Sequence, residues 1–184
     1  MAEFPLKQAV NGKDVKIVWM PFELRSYPAP TLRPEESYLR TAWKNSVYPL
    51  AARMGVEIRL PSVSPQPYTR LAFEGLEFAK DHALGDEYNS GVMRAFFQRS
   101  EDIGNPEVLA NVASSVGLDT GAFAKALEQR GYAERVAGLL RNANEQVQVT
   151  GVPLFLVGNE RLSGVQSQPT LESVIERALE DNRD

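Results

Sequence analysis

The stretch from Val147 to Gln166 restricts the fold more than any other part of the chain. It leaves a polar, helix-patterned segment, breaks at Thr150-Gly151, and enters the apolar run Leu154-Phe155-Leu156-Val157. Four apolar residues are too few for a helix and suit a buried strand. Gly158-Asn159 signals a tight hairpin turn. Arg161 to Val165 reads as the return strand, with Gly164 marking a bulge or a close backbone approach. Pro169 then opens a closing helix, Thr170 to Leu179, at its first turn. The chain therefore ends as helix, Pro-led strand, tight turn, strand and helix.

Thr150-Gly151-Val152-Pro153, set before a buried strand with a hairpin and a final helix behind it, resembles the second half of a thioredoxin fold. That resemblance implies a cis peptide before Pro153, a minority state that the surrounding fold must hold. It also implies a substrate-binding edge at Gly151, Val152 and Pro153, where the residue before the proline offers its backbone N–H and C=O to an extended polypeptide. The plainer alternative is a trans proline at a strand start, where the absent N–H costs nothing.

Upstream, Met1 to Val10 has the spacing of a helix end, stopped by Asn11-Gly12. Asp14 to Phe22 is rich in β-branched and aromatic residues and predicts a strand with Val15, Ile17 and Trp19 on one face. Prolines 28, 30 and 34 then forbid regular helix. Helical spacing returns from Glu35 to Met54, where Pro49 must kink or split the helix before Gly55 stops it. Val56 to Leu60 predicts a short extended piece, and Pro61 to Pro67 a second proline-rich loop. Beyond Tyr68 the pattern is helical up to Val147, with Pro106 in a first turn, Gly117 as a stop and Asp119 as a cap.

A helical block inserted between the halves of a thioredoxin fold is the plan of the DsbA family. Val18-Trp19-Met20-Pro21-Phe22-Glu23-Leu24 is similar to the Trp-x-x-Phe-Glu-Leu strand of its FrnE-like branch. Ala95-Phe96-Phe97, Asp102-Ile103, Glu107-Val108-Leu109 and Gly117-Leu118-Asp119 resemble the inserted helices, and Ser163-Gly164-Val165-Gln166 the closing half. The implied fold class is α/β: a thioredoxin-like domain of residues 1–34 and 148–184, interrupted by an all-helical domain of residues 35–147. The implied activity is that of a protein disulfide oxidoreductase or isomerase.

Members of that branch begin with a strand ending in Cys-Pro-x-Cys, and Met1 stands about where the motif would have just ended. The sequence has no cysteine at all. The expectation is thus a thioredoxin-like fold lacking its first strand, and a chain inactive in thiol exchange, because a thiolate must attack the disulfide. The slot left in the sheet could be filled by a strand from a second copy or another protein, giving a homodimer or strand exchange. Alternatively the flanking strands could close up, or upstream residues could complete the fold. A peptide-binding or adaptor role without catalysis is the second reading. A glutathione-dependent isomerase or kappa-class transferase, built on the same fold, is a distant third.

Composition narrows the remaining chemistry. A net charge of −4, with basic residues scattered among acidic ones, argues against a nucleic-acid surface. The N-terminal residues contain no signal-peptide pattern and no apolar run spans a membrane, so a cytoplasmic location is expected. His82 is the only histidine, which leaves no histidine-based triad or multi-histidine metal site, and no cofactor is implied. Ser163, Thr150 and Ser46 lack a base beside them. Glu35-Glu36, Asp86-Glu87 and Glu101-Asp102 are read as helix-start residues that complement the dipole. Trp43, Tyr48, Phe73, Phe78, Phe96 and Phe97 form aromatic stripes that suit either a groove or a core.

Overall fold

The computed structural model describes residues 1–181. These divide into two compact units, one of residues 1–18 and 147–181, the other of residues 19–146.

In the first unit, helix α1 (Glu3–Val10) packs along the last helix, α9 (Gln168–Asp181). Leu6 and Ala9 of α1 are buried, as are Leu171, Val174 and Ile175 of α9. Strand β1 (Leu154–Val157) pairs antiparallel with β2 (Glu160–Ser163) across the two-residue Gly158-Asn159 turn. Gly158 takes φ +55°, which a side chain resists. The register sets Phe155 opposite Leu162, and Phe155 is buried while Leu156 is 58% exposed, so the hairpin has one dry face. Arg177 of α9 grips Glu160 with two hydrogen bonds of 2.9 and 3.0 Å, tying β2 to the helix.

The second unit is all helical. Helix α2 (Ser37–Ala42) passes through a π-helical turn (Trp43–Val47) into α3 (Tyr48–Arg53). Pro49 explains the split. It has no N–H to give the carbonyl four residues back, and its ring would strike that carbonyl; the wider i→i−5 turn relieves both. Helices α4 (Arg70–Asp81), α5 (Gly85–Arg99), α6 (Pro106–Ser115), α7 (Thr120–Glu128) and α8 (Ala133–Glu145) follow. Asn105 and Asp119 cap α6 and α7 by accepting from Glu107 N and Ala122 N at 2.9 and 2.7 Å. The core gathers around α4, with Leu76, Phe78, Tyr88, Leu109, Val112 and Phe123 all buried. Phe78 meets Phe123 edge-on at 5.4 Å, and Trp43 is buried beside Phe97 and Tyr48, so Phe78 and Trp43 of the aromatic stripes are core while Tyr48 stays exposed.

Two expectations need correction. The strand predicted over Asp14–Phe22 does not form as a sheet member: among the described residues only β1 and β2 pair. Its alternation survives, with Val15, Ile17 and Trp19 half-buried and Lys16, Val18 and Met20 exposed. Composition favours an extended backbone with two faces, but a ladder needs a neighbour. The backbone groups of Lys16 to Met20 make no backbone hydrogen bond among the described residues. Glu101-Asp102, in turn, does not start a helix. Asp102 instead accepts from Gly104 N at 2.8 Å, closing an Asx turn ahead of Asn105.

Candidate functional site: an arch held on the hairpin

Between the end of α8 and the start of β1 the chain forms an arch. Its first foot is Val147-Gln148. Arg161 of β2 points its guanidinium back at this foot, donating to Val147 O and, at 2.8 Å, to Gln148 O. Gln148 sits at φ +53°, a left-handed turn that redirects the chain after the helix. The second foot is Pro153, whose carbonyl accepts from Gly164 N at 2.9 Å. Gly164 has φ +79°, and the Gln166 side chain secures this exit from β2 by donating to Ser163 O at 2.7 Å and Gly164 O at 3.2 Å.

Val149, Thr150, Gly151 and Val152 lie between the feet. None of their backbone N–H or C=O groups has a hydrogen-bond partner among the described residues. Val152 is 50% exposed, and the Val152–Pro153 peptide is cis. The arch carries no acid, base or thiol, so its own chemistry is limited to backbone donors and acceptors, one hydroxyl and apolar contact. Beside it, among the described residues, β1 is hydrogen-bonded to β2 on one edge only, and an open strand edge is a template for another extended chain.

Gly151, Val152 and Pro153 are thus adjacent on one exposed, backbone-rich segment. Ser163 lies next to Gly164 on the same hairpin. Ser46 belongs to the π turn of the other unit. His82 ends α4 in that unit, stacked on Phe78 at 4.2 Å with Nδ1 2.8 Å from Phe78 O. Among the described residues no three His, Asp or Glu side chains converge as a metal site. A cleft of about 240 Å³ in the helical unit is lined by Pro30, Thr31, Arg33, Pro65, Gln66, Pro67 and Tyr68. Sequence reasoning missed Arg161. Nothing in its local pattern announces that a strand residue reaches back to carbonyls thirteen and fourteen positions earlier.

The family model described as a DSBA-like thioredoxin domain matches residues 1–176. The uncharacterized protein YwbO of Bacillus subtilis is 43% identical over 170 residues, covering 92% of this chain and 85% of that protein. Among solved structures, a probable DsbA oxidoreductase from Streptomyces coelicolor superposes with a TM-score of 0.74 at 20% identity. That match covers 98% of this chain and 84% of the other. A putative protein disulfide isomerase from Nitrosomonas europaea gives 0.74 at 15% identity, covering 98% and 89%. A 2-hydroxychromene-2-carboxylate isomerase gives 0.66 at 23% identity, covering 80% and 70%. At these identities the structures speak for the fold, and the match of the family model across the sheet hairpin and the helical unit alike makes this chain a member of the DSBA-like thioredoxin domain family.

Proposed function

We propose that this protein handles extended polypeptides as a member of the disulfide oxidoreductase and isomerase class, in the FrnE-like branch. Its binding edge is formed by Gly151, Val152 and Pro153. The observation that carries this reading is the arch itself, a largely exposed segment at the entry to β1 whose backbone groups have no hydrogen-bond partner among the described residues. An incoming chain would pair with those groups and lay an apolar side chain against Val152. The same proposal assigns residues 1–34 and 148–184 to the thioredoxin-like domain and residues 35–147 to the inserted helical domain, and a cytoplasmic location. No described helix is long and apolar enough to cross a membrane.

The absence of cysteine from these residues favours a second reading beside the first: binding without thiol exchange. A strand supplied by a second copy or another protein, laid against Lys16 to Met20, belongs to the same proposal. The isomerase likeness adds a fold and no residue of this chain.

Two measurements test this. The 184-residue chain should give no turnover in an insulin-reduction assay; turnover would refute the thiol argument. It should bind a fluorescein-labelled, carboxymethylated lactalbumin, and Val152→Asp should weaken that binding about tenfold while leaving the thermal midpoint unchanged, because the side chain is half exposed. Equal binding by the variant would remove the edge from the proposal.

A further inference from the structure

We infer that Arg161 is a positioning residue for the arch, holding it in its binding conformation from the neighbouring strand. The inference rests on the reading of the arch as a polypeptide-binding edge and adds what keeps that edge in place. Four consecutive residues without backbone partners would ordinarily sample many conformations, and ordering them at the moment of binding costs conformational entropy. Their order therefore depends on the feet. The C-terminal foot is a single backbone hydrogen bond, Gly164 N to Pro153 O. The N-terminal foot contains the left-handed Gln148, and among the described residues the Arg161 guanidinium alone hydrogen-bonds Val147 and Gln148.

Arginine suits this task. Two consecutive carbonyls are met by two different guanidinium nitrogens, Nη1 on Val147 O and Nη2 on Gln148 O, so the fork fixes both position and orientation. The bonds are charge-assisted on the donor side, which places them among the stronger ones. Arg161 faces Leu156 across the hairpin, and the hairpin is anchored by the Arg177–Glu160 pair on α9. The clamp thus hangs from a hairpin that is tied to α9. An arch already held open for a partner binds more tightly than one that must first be ordered.

The test compares Arg161→Gln and Arg161→Lys with the wild-type chain and with Val152→Asp. Binding of the carboxymethylated lactalbumin probe should weaken about tenfold in Arg161→Gln, roughly the ordering cost of one backbone residue. The thermal midpoint should hold, since the side chain is exposed. Arg161→Lys should recover part of the loss, because an ammonium reaches one carbonyl and cannot span two. A readout independent of the probe is subtilisin cleavage between residues 148 and 152, which should accelerate in Arg161→Gln and less in Arg161→Lys. Wild-type binding and cleavage in Arg161→Gln, with binding lost in Val152→Asp, would overturn the role of Arg161 and leave the edge standing. Failure of the wild-type chain to bind would overturn the edge; faster cleavage in Arg161→Gln would then leave the clamp standing, and unchanged cleavage would overturn both.

Discussion

Gly75 and Tyr88 show how tightly the helical unit is packed at single atoms. A Cβ on Gly75 would lie 2.2 Å from the Tyr88 hydroxyl oxygen, 2.7 Å from the ring carbon that bears it and 2.8 Å from Phe123 Cζ. Tyr88 and Phe123 are both fully buried, so neither ring has anywhere to move. Overpacking at Gly75→Ala should cost about 1–3 kcal/mol, towards the upper end at a 2.2 Å approach, and so outweigh the roughly 1 kcal/mol gained from helix propensity. Among the described residues the Tyr88 hydroxyl has no hydrogen-bond partner, and burial pushes its pKa above the ordinary phenol value. Removing it relieves a desolvated donor at the cost of only a small void. Tyr88→Phe should raise stability by about 1 kcal/mol, a shift of roughly 2–4 °C in thermal midpoint for a chain of this size. A fall in midpoint by calorimetry would mean that the hydroxyl is satisfied after all. Neither relation was legible in the sequence, where Gly75 is one glycine in a helical pattern. Its need for close approach depends on which ring α5 brings to it.

At the level of elements, α4 organises the helical unit through its carboxylates as well as its apolar face. Glu74 is fully buried and takes three hydrogen bonds from Arg130, at 2.6, 3.0 and 3.2 Å. Arg130 stands at φ +53° in the turn between α7 and α8, so the pair sets where that turn meets α4. One turn of helix away, Arg70 grips Glu23 with two 2.8 Å hydrogen bonds, fastening the Phe22-Glu23-Leu24 segment to the same helix. Arg130→Met should destabilise by about 2–3 kcal/mol, somewhat less than a fully buried pair because half of the guanidinium faces water. Glu74→Gln in that background should restore part of the loss in urea unfolding; additive losses would show that Glu74 is not left as an uncompensated charge. Helices, caps and the hairpin were readable because each rests on local chemistry: Pro106 opens a first turn, Asp119 caps, Gly158 turns, and Pro49 breaks the α-helical ladder. The 14–22 segment was half readable for the same reason. Its alternation is local, whereas the ladder that would make it a strand depends on a partner that its own residues cannot specify.

The whole molecule responds to acid through such tethers, and the sign follows from one of them. Asp81, at the end of α4, accepts from Arg135 at 2.7 Å and from the Tyr132 hydroxyl at 2.9 Å, joining α4 to the start of α8. The guanidinium, with the hydroxyl's help, holds the Asp81 pKa below its ordinary value near 3.8. The unfolded chain therefore takes up this proton at a higher pH than the folded chain does. The stabilisation is fully present above about pH 4 and is lost as pH falls through the depressed folded value. Asp81 is 41% exposed, so solvent screening limits its share to a few tenths of a kcal/mol. In urea unfolding followed by helical circular dichroism, the wild-type midpoint should fall between pH 5 and pH 3, and Asp81→Asn should flatten that slope while lowering the midpoint at pH 7. An unchanged slope would mean that other carboxylates dominate the acid limb. The order of elements that makes the chain a thioredoxin-fold relative was carried by patterns inside short segments, and so was the candidate edge at Val152-Pro153. The tether at Asp81 and the clamp at Arg161 join residues brought together only by folding, and each therefore awaits a measurement on the folded chain.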